Sequence, residues 1–186
     1  MISCATARTV LRLWEERDRS TFHRLNSDEE IMRFFPFRRD RTQSDAMMAA
    51  LNQRYEEDGL TFFALEDRAS GHAIGFLGLA NVEKPMPMAP AIEIGWRLLP
   101  EFWGRGLVTE AASACLDLAF ASPIDAAEIV SFCVDDNEKS EAVMLRLGFS
   151  RDADFDHPTV EAAAHPHLVR HRLYRLARHA WLHTPR

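Results

Sequence analysis

A chain of 186 residues has the length of one compact domain, and 47% hydrophobic with 27% charged residues is the composition of an ordinary globular protein, which excludes collagen-like, low-complexity and disulfide-scaffold classes. Lys and Arg number 22 against 28 Asp and Glu, a net charge of −6, so the basic excess that drives binding to a phosphate backbone is missing and nucleic acid is not an expected partner. The most apolar stretch, Ile92 to Trp103, is broken by Glu93, Arg97 and Glu101, and residues 1–8 carry no apolar signal core, so the expectation is a cytoplasmic protein without a membrane span.

Val10, Leu11 and Leu13 make Arg8 to Trp14 a first strand, and the polar run Glu15 to Arg19 leads into a helix carrying Phe22, Leu25 and Ile31. A second helix starts near Ser44 as N-cap, runs through Met47, Met48, Leu51 and Tyr55, and stops before Gly59; its methionines read as core. Leu60 to Glu66 and His72 to Val82 are strands joined by Asp67-Arg68-Ala69-Ser70-Gly71, an antiparallel hairpin. The prolines of Lys84 to Pro90 make that segment a loop. Ala91 to Leu99 is the next strand, followed by Pro100 and the turn Trp103-Gly104-Arg105-Gly106. Ala112, Cys115, Leu116, Ala119 and Phe120 form one stripe of a helix from about Thr109 to Ala121, ended by Pro123. Glu128 to Val134 is a strand, and Asn137 caps a helix ending at Leu147-Gly148, so Ile92 to Val134 is a βαβ unit with a parallel pair. Phe149 to Phe155 and Leu168 to Leu176 are extended segments around a loop, Asp156 to Pro166. The sum is a mixed α/β or α+β domain over residues 1–186, with a central sheet of about six or seven strands.

Cys4, Cys115 and Cys133 are odd in number and far apart without a C-x-x-C, so neither a disulfide framework nor a thiolate zinc site is expected, and two thiols should be buried with one near the terminus.

The segment Trp103 to Glu110 places two glycines between a strand end and a helix start. Glycine lets consecutive N–H groups converge, and the helix N-terminus adds unpaired donors and partial positive charge, so the turn is an anion cradle suited to a phosphate or pyrophosphate, which Arg105 and the Thr109 hydroxyl could supplement. The same spacing also fits a plain β-to-α connection. It is neither a Walker loop, lacking Gly-Lys-Ser/Thr, nor a dinucleotide fingerprint, lacking the third glycine.

Taken together, Ile92-Glu93-Ile94-Gly95-Trp96-Arg97-Leu98, Pro100-Glu101-Phe102-Trp103-Gly104-Arg105-Gly106, Thr109-Glu110-Ala111, Asn137 with Ser140, and Leu147-Gly148-Phe149 resemble the GNAT superfamily of acyl-CoA-dependent N-acetyltransferases, and more closely its RimJ/RimL-type subgroup. The resemblance covers most of the chain, from Thr9-Val10-Leu11-Arg12 as the first strand to His171 through Leu176 as the closing one. It implies a mostly antiparallel sheet with one parallel pair and helices on both faces, and acetyl-CoA as cosubstrate. Its pyrophosphate would lie on the backbone of Gly104, Arg105, Gly106, Leu107, Val108 and Thr109 beside Trp103. The pantetheine arm would pair with backbone at Leu98 and Leu99, where the strand of Glu93 splays from that of Val130, and Asn137 would touch the cofactor as well as cap its helix. Val108 departs from the family pattern, which prefers Gly or Ala there. Trp103 replaces the Gln or Arg of many members, although the nearer subgroup shares Trp.

Acetyl transfer to an amine needs a base, a donor to the thioester oxygen and a leaving thiol. Glu93, flanked by Ile92, Ile94 and Trp96, is the candidate base, burial raising a carboxylate toward neutrality; the alternative is a structural ion pair with Arg97 on the same strand face. A backbone N–H near Leu98 or Leu99 would polarise the carbonyl. Many family members have Tyr seven residues after the Asn, where Met144 stands here, so Ser140 is the candidate hydrogen-bond donor to the departing sulfur and Tyr174 the alternative. His165, His167, His171, His179 and His183 crowd the C-terminal region without an acidic partner at fixed spacing, so no metal site is expected. Phe34, Phe35 and Phe37 fall where the family borders its acceptor, though they also suit core packing. The expected activity is direct acetyl transfer to a primary amine, a protein N-terminus or a small molecule, by a monomer or homodimer. A catalytically weak acyl-CoA-binding sensor and a nucleotide-binding enzyme are the alternatives.

Overall fold

The computed structural model describes residues 4–183. Nine strands, mostly antiparallel, and five α-helices follow one another as β1 (Cys4–Ala5), β2 (Thr9–Arg12), α1 (Arg19–Ser27), α2 (Arg41–Asp58), β3 (Phe62–Asp67), β4 (His72–Val82), β5 (Ala91–Leu98), α3 (Leu107–Ala119), β6 (Glu128–Val134), α4 (Glu138–Arg146), β7 (Ser150–Arg151), β8 (Phe155–Asp156), β9 (Arg170–Ala177) and α5 (Arg178–His183). The sheet order is β1-β2-β3-β4-β5-β6-β9-β7, with β8 also on β9. The count exceeds the expected six or seven because β1, β7 and β8 are two residues each, too short to show an alternating pattern. Accordingly Phe149 to Phe155 forms no single strand, and the first expected strand shrinks to Thr9–Arg12.

Among the described residues, 4–80 with 95–115 form one compact unit and 81–94 with 116–183 another. In the first, antiparallel pairing runs Cys4↔Leu11, Thr9↔Asp67 and Phe62↔Gly78, with a bulge between Leu65 and Glu66. Its core joins Trp14, Phe22, Leu25, Met32, Met48, Leu51, Phe76 and Leu99, so the methionines of α2 are core as expected. Trp14 meets Phe22 edge to face at 4.5 Å, a favoured quadrupole geometry, and its indole N–H donates to the Phe62 carbonyl at 2.9 Å.

Helix α2 begins three residues before the expected cap. Asp40 accepts from the Gln43 amide and Gln43 returns a bond to the Asp40 amide, a capping box that answers two orphan donors. Ser44 sits inside the helix instead, buried, with its hydroxyl 3.2 Å from His23 Nδ1. Gly59, in the left-handed region at φ 71°, closes the helix. Asp40→Ala should lower stability by about 1 kcal/mol, read as a shifted urea midpoint with unchanged slope; an unshifted midpoint would contradict the cap.

In the second unit β6 pairs antiparallel with β9 from Glu128↔Ala177 to Val134↔His171 and parallel with β5 at Glu93↔Val130. Helix α5 has no apolar stripe and was not expected; Trp181 anchors it, buried, with its indole N–H on Asp117 at 2.9 Å. None of the three cysteines is in a disulfide and all are buried, Cys4 included, and burial pushes the thiols of Cys115 and Cys133 up. Among the described residues no helix is long and apolar enough to cross a membrane.

Candidate active site

The turn before α3 has the conformation that its glycines permit. Gly104 and Gly106 lie at φ 73° and 74°, left-handed backbone that a Cβ disfavours. The flanking bonds, Trp103 N–H to the Pro100 carbonyl and Glu110 N–H to the Gly106 carbonyl, are made, but the amides of Gly104, Arg105, Gly106, Leu107, Val108 and Thr109 have no acceptor among the described residues. Leu107 and Val108 bury their side chains, so Val108 turns away from the exposed face formed by Gly104, Arg105 and Gly106. The turn is braced from the residue just before β2: Arg8 donates through its amide and Nε to Glu110, at 3.0 and 2.6 Å, and through Nη1 to the Arg105 carbonyl at 2.9 Å. Glu110, the middle residue of Thr109-Glu110-Ala111, thus ties the first turn of α3 to Arg8, a task that its place in the motif does not announce.

On β5, Glu93 is half-buried and the Ile94 carbonyl accepts from the Ser131 hydroxyl at 3.0 Å. Backbone direction alternates along a strand, so the Leu98 N–H, four residues on, points to the same edge as the Ile94 carbonyl. The Leu98 carbonyl accepts from the Trp103 indole at 2.7 Å. Leu99 is committed on both sides, its N–H to Ile74 at 2.9 Å and its carbonyl to the Phe102 amide at 3.0 Å. Of the two backbone donors considered in the sequence, Leu98 is therefore the one not engaged by these contacts.

In the second unit Asn137 caps α4, its Oδ1 accepting from the Ser140 amide at 3.2 Å. The half-buried Ser140 hydroxyl has no hydrogen bond among the described residues, whereas Met144 is fully buried. The Tyr174 hydroxyl donates to Glu141, which Arg172 also holds, and burial together with that carboxylate pushes the phenol up to about 12. The phenol proton is thus bound to a structural partner.

The C-terminal histidines do not converge, and among the described residues no group of ligands could hold a metal. His171 instead packs against His157, with ring centroids 4.8 Å apart, beside Phe132 and Phe155. Burial lowers the pKa of both. The unfolded chain then takes up protons near pH 6.5 before the folded one does, so stability should fall as pH drops through 6.5 and level off below the folded values. A thermal-denaturation series should show a smaller slope in His171→Phe; an unchanged slope would contradict this.

One cluster was not foreseen. Arg97, read in the sequence only as a partner for Glu93, donates through Nη1 to Asn26 at 2.8 Å and lies over Phe35 at 4.0 Å and Phe76 at 5.0 Å. Arg39 lies over Phe37 at 4.3 Å. Phe35 packs on the first core, while Phe37 is 40% exposed, so the phenylalanine run divides between packing and surface.

Residues 8–150 match the family model of the acetyltransferase (GNAT) domain. The chain belongs to the GNAT acetyltransferase family. It is 33% identical over 117 residues to YkkB of Bacillus subtilis (strain 168), covering 62% of this chain and 66% of that protein. It is 25% identical over 149 residues to the N-acetyltransferase YoaA of the same organism, 79% of this chain and 82% of that one. In fold it is similar to RimL, a ribosomal L7/L12 α-N-protein acetyltransferase solved with coenzyme A, with a TM-score of 0.74 at 17% identity over 94% of this chain and 97% of that one. A GNAT fold and the open amides before α3 thus occur in one chain.

Proposed function

We propose that this GNAT chain is an acetyl-CoA-dependent N-acetyltransferase that moves an acetyl group directly onto a primary amine, of a small molecule or a protein N-terminus. The observation that carries the proposal is the row of amides from Gly104 to Thr109 without an acceptor among the described residues, in a chain of an acetyltransferase family. Those donors, with the dipole of α3 behind them, suit the cosubstrate's diphosphate, and Arg105 stands exposed beside them. RimL's complex with coenzyme A supports the choice of cosubstrate. In this reading the amine nitrogen attacks the thioester carbon, the Leu98 N–H steadies the developing oxyanion, Glu93 takes the amine's proton directly or through water, and the carbon–sulfur bond breaks. Asn137 contacts the cosubstrate through its free amide NH₂, and Ser140 donates to the departing thiolate, which takes its proton from solvent.

Free-thiol release from acetyl-CoA across a panel of amines and N-terminal peptides tests the proposal. Release with at least one acceptor is expected. Burial of Met144 and commitment of Tyr174 to Glu141 favour one second reading, an acyl-CoA sensor, which predicts acetyl-CoA binding and no release with any amine. Thermal stabilisation by ATP but not by acetyl-CoA would overturn both. Ser140→Ala should slow turnover about tenfold, the worth of one bond to a charged group; unaltered turnover would remove Ser140 from the scheme.

A further inference from the structure

The structure assigns to the Arg97–Arg39 cluster a second binding site, for a carboxylate carried by the acceptor amine; as a statement about the acceptor it rests on the acetyltransferase reading. Arg97 Nε is sealed from solvent and has no hydrogen-bond partner among the described residues, and the same holds for Arg39 Nη1. Neither residue forms an ion pair with any described carboxylate, in a chain where Arg8, Arg12, Arg24, Arg172, Arg175 and others all do. A buried guanidinium without a counter-charge is costly, and half-buried Arg39 adds to the cost at Arg97: the rings that the two guanidinia cover, Phe37 and Phe35, lie 6.0 Å apart, and the charge of Arg39 joins burial in lowering the Arg97 pKa. An anion received by both would relieve desolvation and repulsion together.

The geometry selects a planar anion. Phe35 and Phe76 occupy the face of the Arg97 guanidinium, at 4.0 and 5.0 Å, a cation–π arrangement that leaves its edge donors free. Asn26 accepts from Nη1 at 2.8 Å and is itself fixed by donating to the Phe22 carbonyl at 2.7 Å, so the guanidinium cannot swivel without breaking its bond to a fixed acceptor. The remaining edge, Nε with Nη2, is the fork that a carboxylate fills with two parallel bonds. Arg97 also stands on the same face of β5 as Glu93, four residues and about 13 Å further along. An acceptor whose amine meets Glu93 and whose other end carries a carboxylate would be read by both residues.

The test uses the full chain and pairs each acceptor with a copy lacking the acid, 6-aminohexanoate with hexylamine and the shorter ω-amino acids with their alkylamines. Hexanoate, which cannot be acetylated, serves as the probe of the site, read on the ¹⁵N resonance of Arg97 Nε–H. We expect a KM about tenfold or more lower for the acid-bearing acceptor of fitting length, a preference that Arg39→Gln erases through KM with little change in kcat, and a shifted Nε–H resonance with hexanoate. Arg97→Lys, which keeps the charge and removes the fork, should weaken hexanoate binding as well; Arg39→Gln leaves the Asn26 bond intact and guards against a folding defect in the other variant. Equal KM values with an unmoved resonance would overturn the proposal, as would a resonance moved by inorganic phosphate and not by hexanoate. A resonance that moves with hexanoate while no amine is acetylated would support the anion site and sink the acetyltransferase reading.

Discussion

Glu93→Gln should lower kcat/KM by about 10²- to 10³-fold while leaving acetyl-CoA affinity within about a factor of two, because the amide copies the shape of the carboxylate and accepts hydrogen bonds but cannot take a proton. Glu93 sits at the register pair Glu93↔Val130, where β5 meets β6, so the substitution acts on a paired backbone. The residual rate should depend on pH only through the ionisation of the acceptor amine. A variant that retains the full rate across pH would remove Glu93 from the proton's path and leave acceptor ionisation as the only proton step.

Gly104→Val should weaken acetyl-CoA binding about tenfold or more. The argument is conformational: at φ 73° a β-branched side chain clashes with its own backbone, yet a Cβ built there meets nothing within 4 Å, so no neighbour is displaced. The left-handed state costs a non-glycine residue about 1–2 kcal/mol, which the turn would relieve by rotating its amides out of line. Gly104→Ala should show the smaller effect of the same sign. Calorimetric titration of each variant reads the change, and a dissociation constant equal to that of the unaltered chain would mean that these amides do not hold the diphosphate.

The centre of the chain was legible because its signals are local. The stripe Ala112, Cys115, Leu116, Ala119 and Phe120 places α3 within two residues of its observed ends, the β-branched run Glu128–Val134 coincides with β6, and the glycine pair marks the turn whose φ values require it. What escaped was set by partners distant in sequence. β7 and β8 exist only because β9 offers them an edge, and no pattern in two residues announces that. Helix α5 depends on one side chain, Trp181, reaching Asp117. Arg97 was legible as a charge on an apolar strand, but spacing offered Glu93 as partner, whereas the contact made is with Asn26, 71 residues away. Likewise Leu99 looked equal to Leu98 as a backbone donor until pairing with Ile74 claimed its N–H. Asp40 with Gln43 was a readable capping box that the nearer Ser44 obscured.

The central claim concerns particular hydrogens, the amides between Gly104 and Thr109, and amide-resolved nuclear magnetic resonance with coenzyme A addresses it most directly. Downfield shifts and slowed exchange at those positions on saturation, absent when pantetheine without its phosphates is added, are the predicted result. Unchanged amides in that turn, with coenzyme A bound elsewhere or not at all, would contradict the account.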